Sequence, residues 1–194
     1  AATVMYCDDN GGSMFPIKVT HAGEGSHWWF GFEPFGGSMI EGQRELDRTR
    51  GRLWPYYQRP DSVEICPAFK LTSGRYKPKF RTNWTTYGPS LRLINPTDPA
   101  RLERVTDPAA TLAFADAAQI NVFQPPASLS NPMFEQWHYV SAVEQQMHYV
   151  HRGRANTARF DGHVEPVEAD EALNRTVAEA PVARPPASLV LDAA

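Results

Sequence analysis

Four side chains in the C-terminal half could do chemistry together. Asp116, His151, Asp161 and His163 offer two carboxylates and two imidazoles. Calcium takes oxygen ligands, whereas imidazoles suit zinc and other transition metals, so these residue types leave calcium and zinc both open as a structural divalent metal. His151 and Asp161 could also serve as a base and its orienter, with Tyr149 as an acid. No GxSxG, HExxH or phosphate-binding glycine loop accompanies them, and the expectation is that the chain is not an enzyme. The plainer alternative is structural: His151 and Asn156 pin loops around the Asp161-Gly162 turn.

Cys7 and Cys66 are the only thiols, and no CxxC occurs. A cysteine-based zinc knuckle is therefore not expected. In an oxidising compartment the two could pair, closing a loop of about 60 residues worth roughly 4 kcal/mol by chain entropy. Otherwise they are buried free thiols. A third group is aromatic. Trp28, Trp29, Phe30, Phe32 and Phe35 crowd into eight positions of a glycine-rich stretch. They read either as a loop folded over the core or as a contact surface for a polysaccharide or protein partner, with sugars stacking on the rings.

The whole chain sets limits on these readings. A formal net charge of -3 and a pI of about 6.1 argue against a strongly basic nucleic-acid binder. No run of 18 apolar residues could span a bilayer, and no basic stretch followed by an apolar one reads as a signal peptide. The first residue is Ala, which suggests a processed or truncated form. With 17 Pro and 13 Gly, long helices should be scarce, because an interior proline costs about 3 kcal/mol. A loop-rich α+β or mostly β domain follows.

The elements that would position these residues can be placed along the chain. Residues 1–9 could end a helix stopped at Asn10-Gly11-Gly12. The mixed charges of 39–52, with Glu41/Arg44 and Glu45/Arg48 three apart, predict a short solvated helix. Val63–Cys66 and Leu91–Ile94 read as short strands, and Tyr76–Trp84 as a solvated basic strand face. Pro108–Asp116 is the clearest buried strand, and Ile120–Phe123 could be another. Two runs flank Asp161-Gly162, which predicts a hairpin with a type I′ turn there, Phe160 facing His163 across it. Glu168–Ala178 could form a last helix. Residues 179–194 read as an extended Pro/Ala-rich tail.

The hairpin also carries a resemblance. The string HRGRANTARFDGHVEP holds His151, nine residues, then Asp161-Gly162. It is similar to the H-x(9)-D-G signature that closes a group of bacterial prepilin-type proteins, which resemble type IV pilins and the pseudopilins of type II secretion. Further strings resemble that family in the same order. They are YCDDNGGSMFP near the start, Leu53-Trp54-Pro55-Tyr56-Tyr57, Ile65-Cys66-Pro67, Thr86-Tyr87-Gly88 and Pro108–Asp116. The chain departs from the pattern in its missing leader, cleavage site and apolar helix, in Cys7, and in the length of the aromatic stretch at 22–38.

The resemblance implies an α+β fold with a pilin-like head, a helix stub packed on a small antiparallel β-sheet with long loops. Residues 1–12 would be the stub, 13–178 the head and 179–194 the tail. It implies a structural subunit of a pilus-like filament or type II secretion pseudopilus at the bacterial cell envelope, on its periplasmic or extracellular side. Partners would be its own copies or other pilin-like subunits, with no nucleic acid, and the membrane would be met only through a helix upstream of Ala1. The alternative is an exported binding module using the aromatic loop. Related major pseudopilins bind calcium near their C-termini, which adds weight to a metal near the hairpin.

Overall fold

A computed structural model describes residues 1–57, 63–141, 144 and 146–169. One helix of more than one turn is present among them, α1 (Ala2–Asp9). The strands among them form three antiparallel sheets. A three-stranded meander joins β1 (Lys18–His21), β2 (Gly25–Trp28) and β3 (Gly31–Pro34). A four-stranded sheet is built from β4 (Tyr87–Pro89), β5 (Leu112–Asp116), β8 (Arg154–Arg159) and β9 (Val164–Glu168), in the order β4-β5-β8-β9. The third sheet pairs β6 (Ala118–Asn121) with β7 (Met133–Gln136). No helix among the described residues is long and apolar enough to cross a membrane.

This corrects the expected fold class. With 32% strand against 12% helix, and three sheets in place of one, the protein is mostly β and not a helix stub on a pilin-like α+β head. The chemistry behind this is in the glycines and aromatics. A Cβ on Gly25 would stand 2.2 Å from the Glu33 carbonyl oxygen, so only glycine lets β2 and β3 close so tightly. The meander thereby turns Trp29 and Phe30 inward. Both are 2% exposed, Phe30 lies 4.3 Å from Trp84 by ring centroids, and Trp29 donates its indole N–H to the His138 carbonyl at 2.8 Å. Phe15, Leu53, Trp84 and Ile94 complete the main core, and Tyr6 and Cys7 of α1 pack into it.

Local expectations change with the same physics. Residues 39–52 form no α-helix. Gly42 takes a φ of +81°, and Asp47 caps a 3-10 turn at Arg48–Arg50 through Thr49 N–H. Arg44 does reach Glu41 at 3.0 Å, yet it also binds Glu33, which lies outside the segment. Leu91–Ile94 is turn, and Val63–Cys66 is not a strand. The segment from Tyr76 is not solvated throughout: Lys77 is 1% exposed and lies 2.8 Å from both Glu41 and Glu135. The predicted strands at Pro108–Asp116 and Ile120–Phe123 appear as β5 and, displaced toward its start, β6. The tail at 179–194 and residues 170–178 of the last predicted helix lie outside the described residues.

Candidate metal centre

β8 shows why its end is a good place for a site. Its burial alternates, with Ala155, Thr157 and Arg159 buried and Asn156 and Ala158 half-exposed. Arg154 begins the strand, and the chain reaches it through a two-residue reversal. His151 and Arg154 exchange backbone hydrogen bonds at 2.9 and 3.2 Å, while Arg152 and Gly153 take φ values of 56° and 82°. Positive φ at both central positions is the type I′ requirement. The primed turn therefore sits at Arg152-Gly153. At the predicted place, only Gly162 is left-handed, at φ 96°. There Gly162 N–H bonds the Arg159 carbonyl and Arg159 N–H bonds the His163 carbonyl, the pattern of a three-residue loop ending in a bulged glycine.

That reversal carries His151 back over β5. Its Nε2 lies 3.3 Å from Asp116 Oδ2 and 3.4 Å from Cys66 Sγ. The three ligand-type atoms all fall within 4.8 Å of one another, and this is the group among the described residues able to hold a metal ion. Cys66 is positioned from the other side: its N–H donates to Thr86 Oγ1 at 2.6 Å, and Thr86 N–H in turn bonds the Glu64 carbonyl, tying this turn to the start of β4. Asp116 ends β5 at 1% exposure. Its Oδ2 accepts the Asn156 backbone N–H at 2.7 Å, and its carbonyl accepts His148 N–H at 2.9 Å. The structural role of Asn156 thus belongs to its main chain, not to its amide. Oδ1 of Asp116 is buried with no hydrogen-bond partner, and so is Nδ1 of His148.

Burial works against charge on the enclosed members of the group. Burial pushes the Asp116 carboxyl up, opposed by the Asn156 N–H and by His151. Burial also raises the Cys66 thiol. His148 is driven down to about 4 by burial, so its imidazole is neutral. One geometric point separates this group from a nucleophilic triad. A triad uses one imidazole nitrogen for the nucleophile and the other for the carboxylate. Here the same Nε2 faces both, and the thiol is not activated.

The remaining sequence candidates fall elsewhere. Asp161 and His163 do not join the centre: they pair with each other at 2.7 Å on the exposed turn, where His163 N–H and imidazole hold the Asp161 carboxyl below its usual range. Cys7 and Cys66 form no disulfide. Cys7 lies in the main core with its sulfur 3.6 Å from Met14 Sδ, whereas Cys66 packs with Phe69 and Phe134 in a second cluster. The aromatic stretch is not an exposed platform. Trp29, Phe30 and Phe32 are buried, Trp28 is half-buried, and Phe35 alone of the five is exposed. Three of the five rings are therefore enclosed and offer no open face for a sugar to stack on.

The sequence reading missed Cys66 as a partner of His151. The signal was available in the strings themselves, since Ile65-Cys66-Pro67, Pro108–Asp116 and the His151 motif each supply one member. The donor set does not suit calcium, which wants six to eight oxygens, while this group offers a sulfur, a nitrogen and a carboxylate. No family model matches the chain, and no curated protein or solved structure matches it.

Proposed function

We propose that this chain is the globular part of a structural subunit of a pilus-like filament or type II secretion pseudopilus, displayed on the periplasmic or extracellular side of a bacterial envelope. One observation carries the reading. Three of the strings that resemble the prepilin-type group, far apart in sequence, bring their cysteine, aspartate and histidine onto a single point. That arrangement serves to close a fold. It ties the turn before β4, the end of β5 and the approach to β8 together, and it asks for no substrate. A divalent cation held there would act as a structural pin, and the subunit would meet copies of itself or other pilin-like subunits through its surface.

The test is the coding sequence upstream of Ala1, followed by electron microscopy of the assembled cell envelope. The expected result is a short leader, a Gly-Phe junction, a Glu at the fifth mature position, and an apolar helix of about 20 residues, the length that crosses a bilayer. Deleting the gene should then remove filaments or block secretion. A conventional signal peptide or a second globular domain in that place overturns the reading.

A further inference from the structure

We propose that Cys66, Asp116 and His151 bind one zinc-class transition metal ion, with the Cys66 sulfur as an obligate ligand. The inference deepens the reading of this cluster as a structural pin, and it does not depend on filament assembly. A tetrahedral zinc ion holds sulfur at about 2.3 Å and nitrogen or oxygen at about 2.0–2.2 Å, which spaces neighbouring donors about 3.3–3.8 Å apart. The His151–Asp116 and His151–Cys66 separations are 3.3 and 3.4 Å, and the third lies within 4.8 Å.

The way the donors face one another is the stronger argument. One imidazole nitrogen carries either a proton or a lone pair, so as a hydrogen-bonding group Nε2 serves one neighbour well. Here it faces a sulfur and a carboxylate oxygen together, which is the disposition of donors around a common centre. Asp116 adds a second sign. Its carboxylate is fully enclosed and yet leaves Oδ1 with no partner, a costly arrangement for a group able to accept several bonds. His151 is the half-exposed member and gives the ion its route in from solvent.

Binding is a proton exchange. The ion takes the Cys66 sulfur as thiolate, and the thiol proton passes to solvent. No bond within the protein breaks and no oxidant is needed. Three protein donors leave a fourth position, filled by water. Thiolate plus imidazole selects zinc, cobalt or nickel over calcium and magnesium, which prefer oxygen alone.

The experiment uses the full chain, stripped with a chelator under reducing conditions and titrated with cobalt(II), zinc(II) and calcium(II). The expected result is one cobalt per chain, with a thiolate-to-cobalt charge-transfer band that zinc abolishes and calcium does not touch. Zinc should raise the melting temperature and slow alkylation of Cys66 at least ten-fold relative to metal-free protein at the same temperature. Cys66→Ser should lose the charge-transfer band, and His151→Gln should weaken cobalt binding at least ten-fold. His151→Gln, at a half-exposed position, is the variant least able to fail through misfolding. A double substitution of the turn pair, Asp161→Asn with His163→Gln, should leave the titration unchanged. The proposal is overturned by the absence of a charge-transfer band in folded wild-type protein, by a band that survives Cys66→Ser, or by a titration lost in the turn variant. Metal binding in a protein whose gene lacks the prepilin features would sustain this site and sink the filament reading.

Discussion

His138 is an imidazole surrounded by aromatic rings, with Trp137 at 4.6 Å, Tyr139 at 4.9 Å and Trp28 at 5.0 Å. Burial drives its pKa well below the ordinary histidine value, helped by the positive charges of Lys79, Lys18 and Arg44, so the folded protein holds it neutral. In the unfolded chain it takes up a proton near pH 6.5. The unfolded state therefore binds more protons below that pH, and stability is complete above it and falls as the solution is acidified. One such group contributes at most about 1.4 kcal/mol per pH unit. Urea unfolding at pH 6.5 and pH 5 should show wild type losing up to about 2 kcal/mol relative to His138→Phe. Parallel losses in the two proteins would mean that this ring is not the sensitive group. At the residue level the sequence was a partial guide. It marked His151 and Asp116 as candidate ligands, because carboxylates and imidazoles are recognisable by type. It joined Asp161 and His163 to them because they follow closely in the chain, and it left Cys66 open between a bridge to Cys7 and a buried free thiol, of which the second is found. Proximity in sequence decided that error, while the contacts of His151 with Cys66 and Asp116 are made across 85 and 35 residues of chain.

The elements show a similar division. The β8–β9 hairpin was legible, since Asp161-Gly162 between two short runs needs a reversal there. Its turn type was not, because Asp161 keeps a right-handed or extended backbone and the primed geometry falls on Arg152-Gly153, a pair with no asparagine or aspartate to announce it. The basic segment from Tyr76 was misread for another reason. Lys77 looks like surface by type, and it is buried between two carboxylates that lie 36 residues before and 58 residues after it. Glu135 is fully enclosed on β7, with Lys77 at 2.8 Å, Lys79 at 3.6 Å and the Asn121 amide at 3.4 Å. Removing one member of a buried pair leaves the other charge without compensation, at a cost of about 3–5 kcal/mol. Lys77→Met should be destabilised by that amount in a denaturant titration, and Lys77→Met with Glu135→Gln should recover part of it. A single variant as stable as wild type would show that the network contributes nothing.

For the whole molecule, composition announced scarce helix and abundant loop, and that survives in the three small sheets of the described residues. The resemblance drew attention to a helix packed on one sheet, and the aromatic stretch at 22–38, longer than the pattern calls for, instead supplies two of the three strands of a separate sheet. The main core collects side chains from α1, the meander, β5 and the β8–β9 turn, among them Tyr6, Trp29, Ala113 and Phe160. Such sharing predicts one cooperative transition. Tryptophan fluorescence and far-ultraviolet circular dichroism should give coincident midpoints in urea, whereas separate midpoints would mark the β6–β7 sheet as an independent unit. The separation of the two thiols into different clusters has a consequence for how the chain reaches this state. An unfolded chain with Cys7 and Cys66 reduced can close that loop whenever an oxidant arrives before folding does, and the resulting bridge would take the Cys66 sulfur away from His151 and Asp116. Folding and oxidation are then rival fates for the same nascent chain. A Cys7–Cys66 linked species would be the record of a molecule that lost the race.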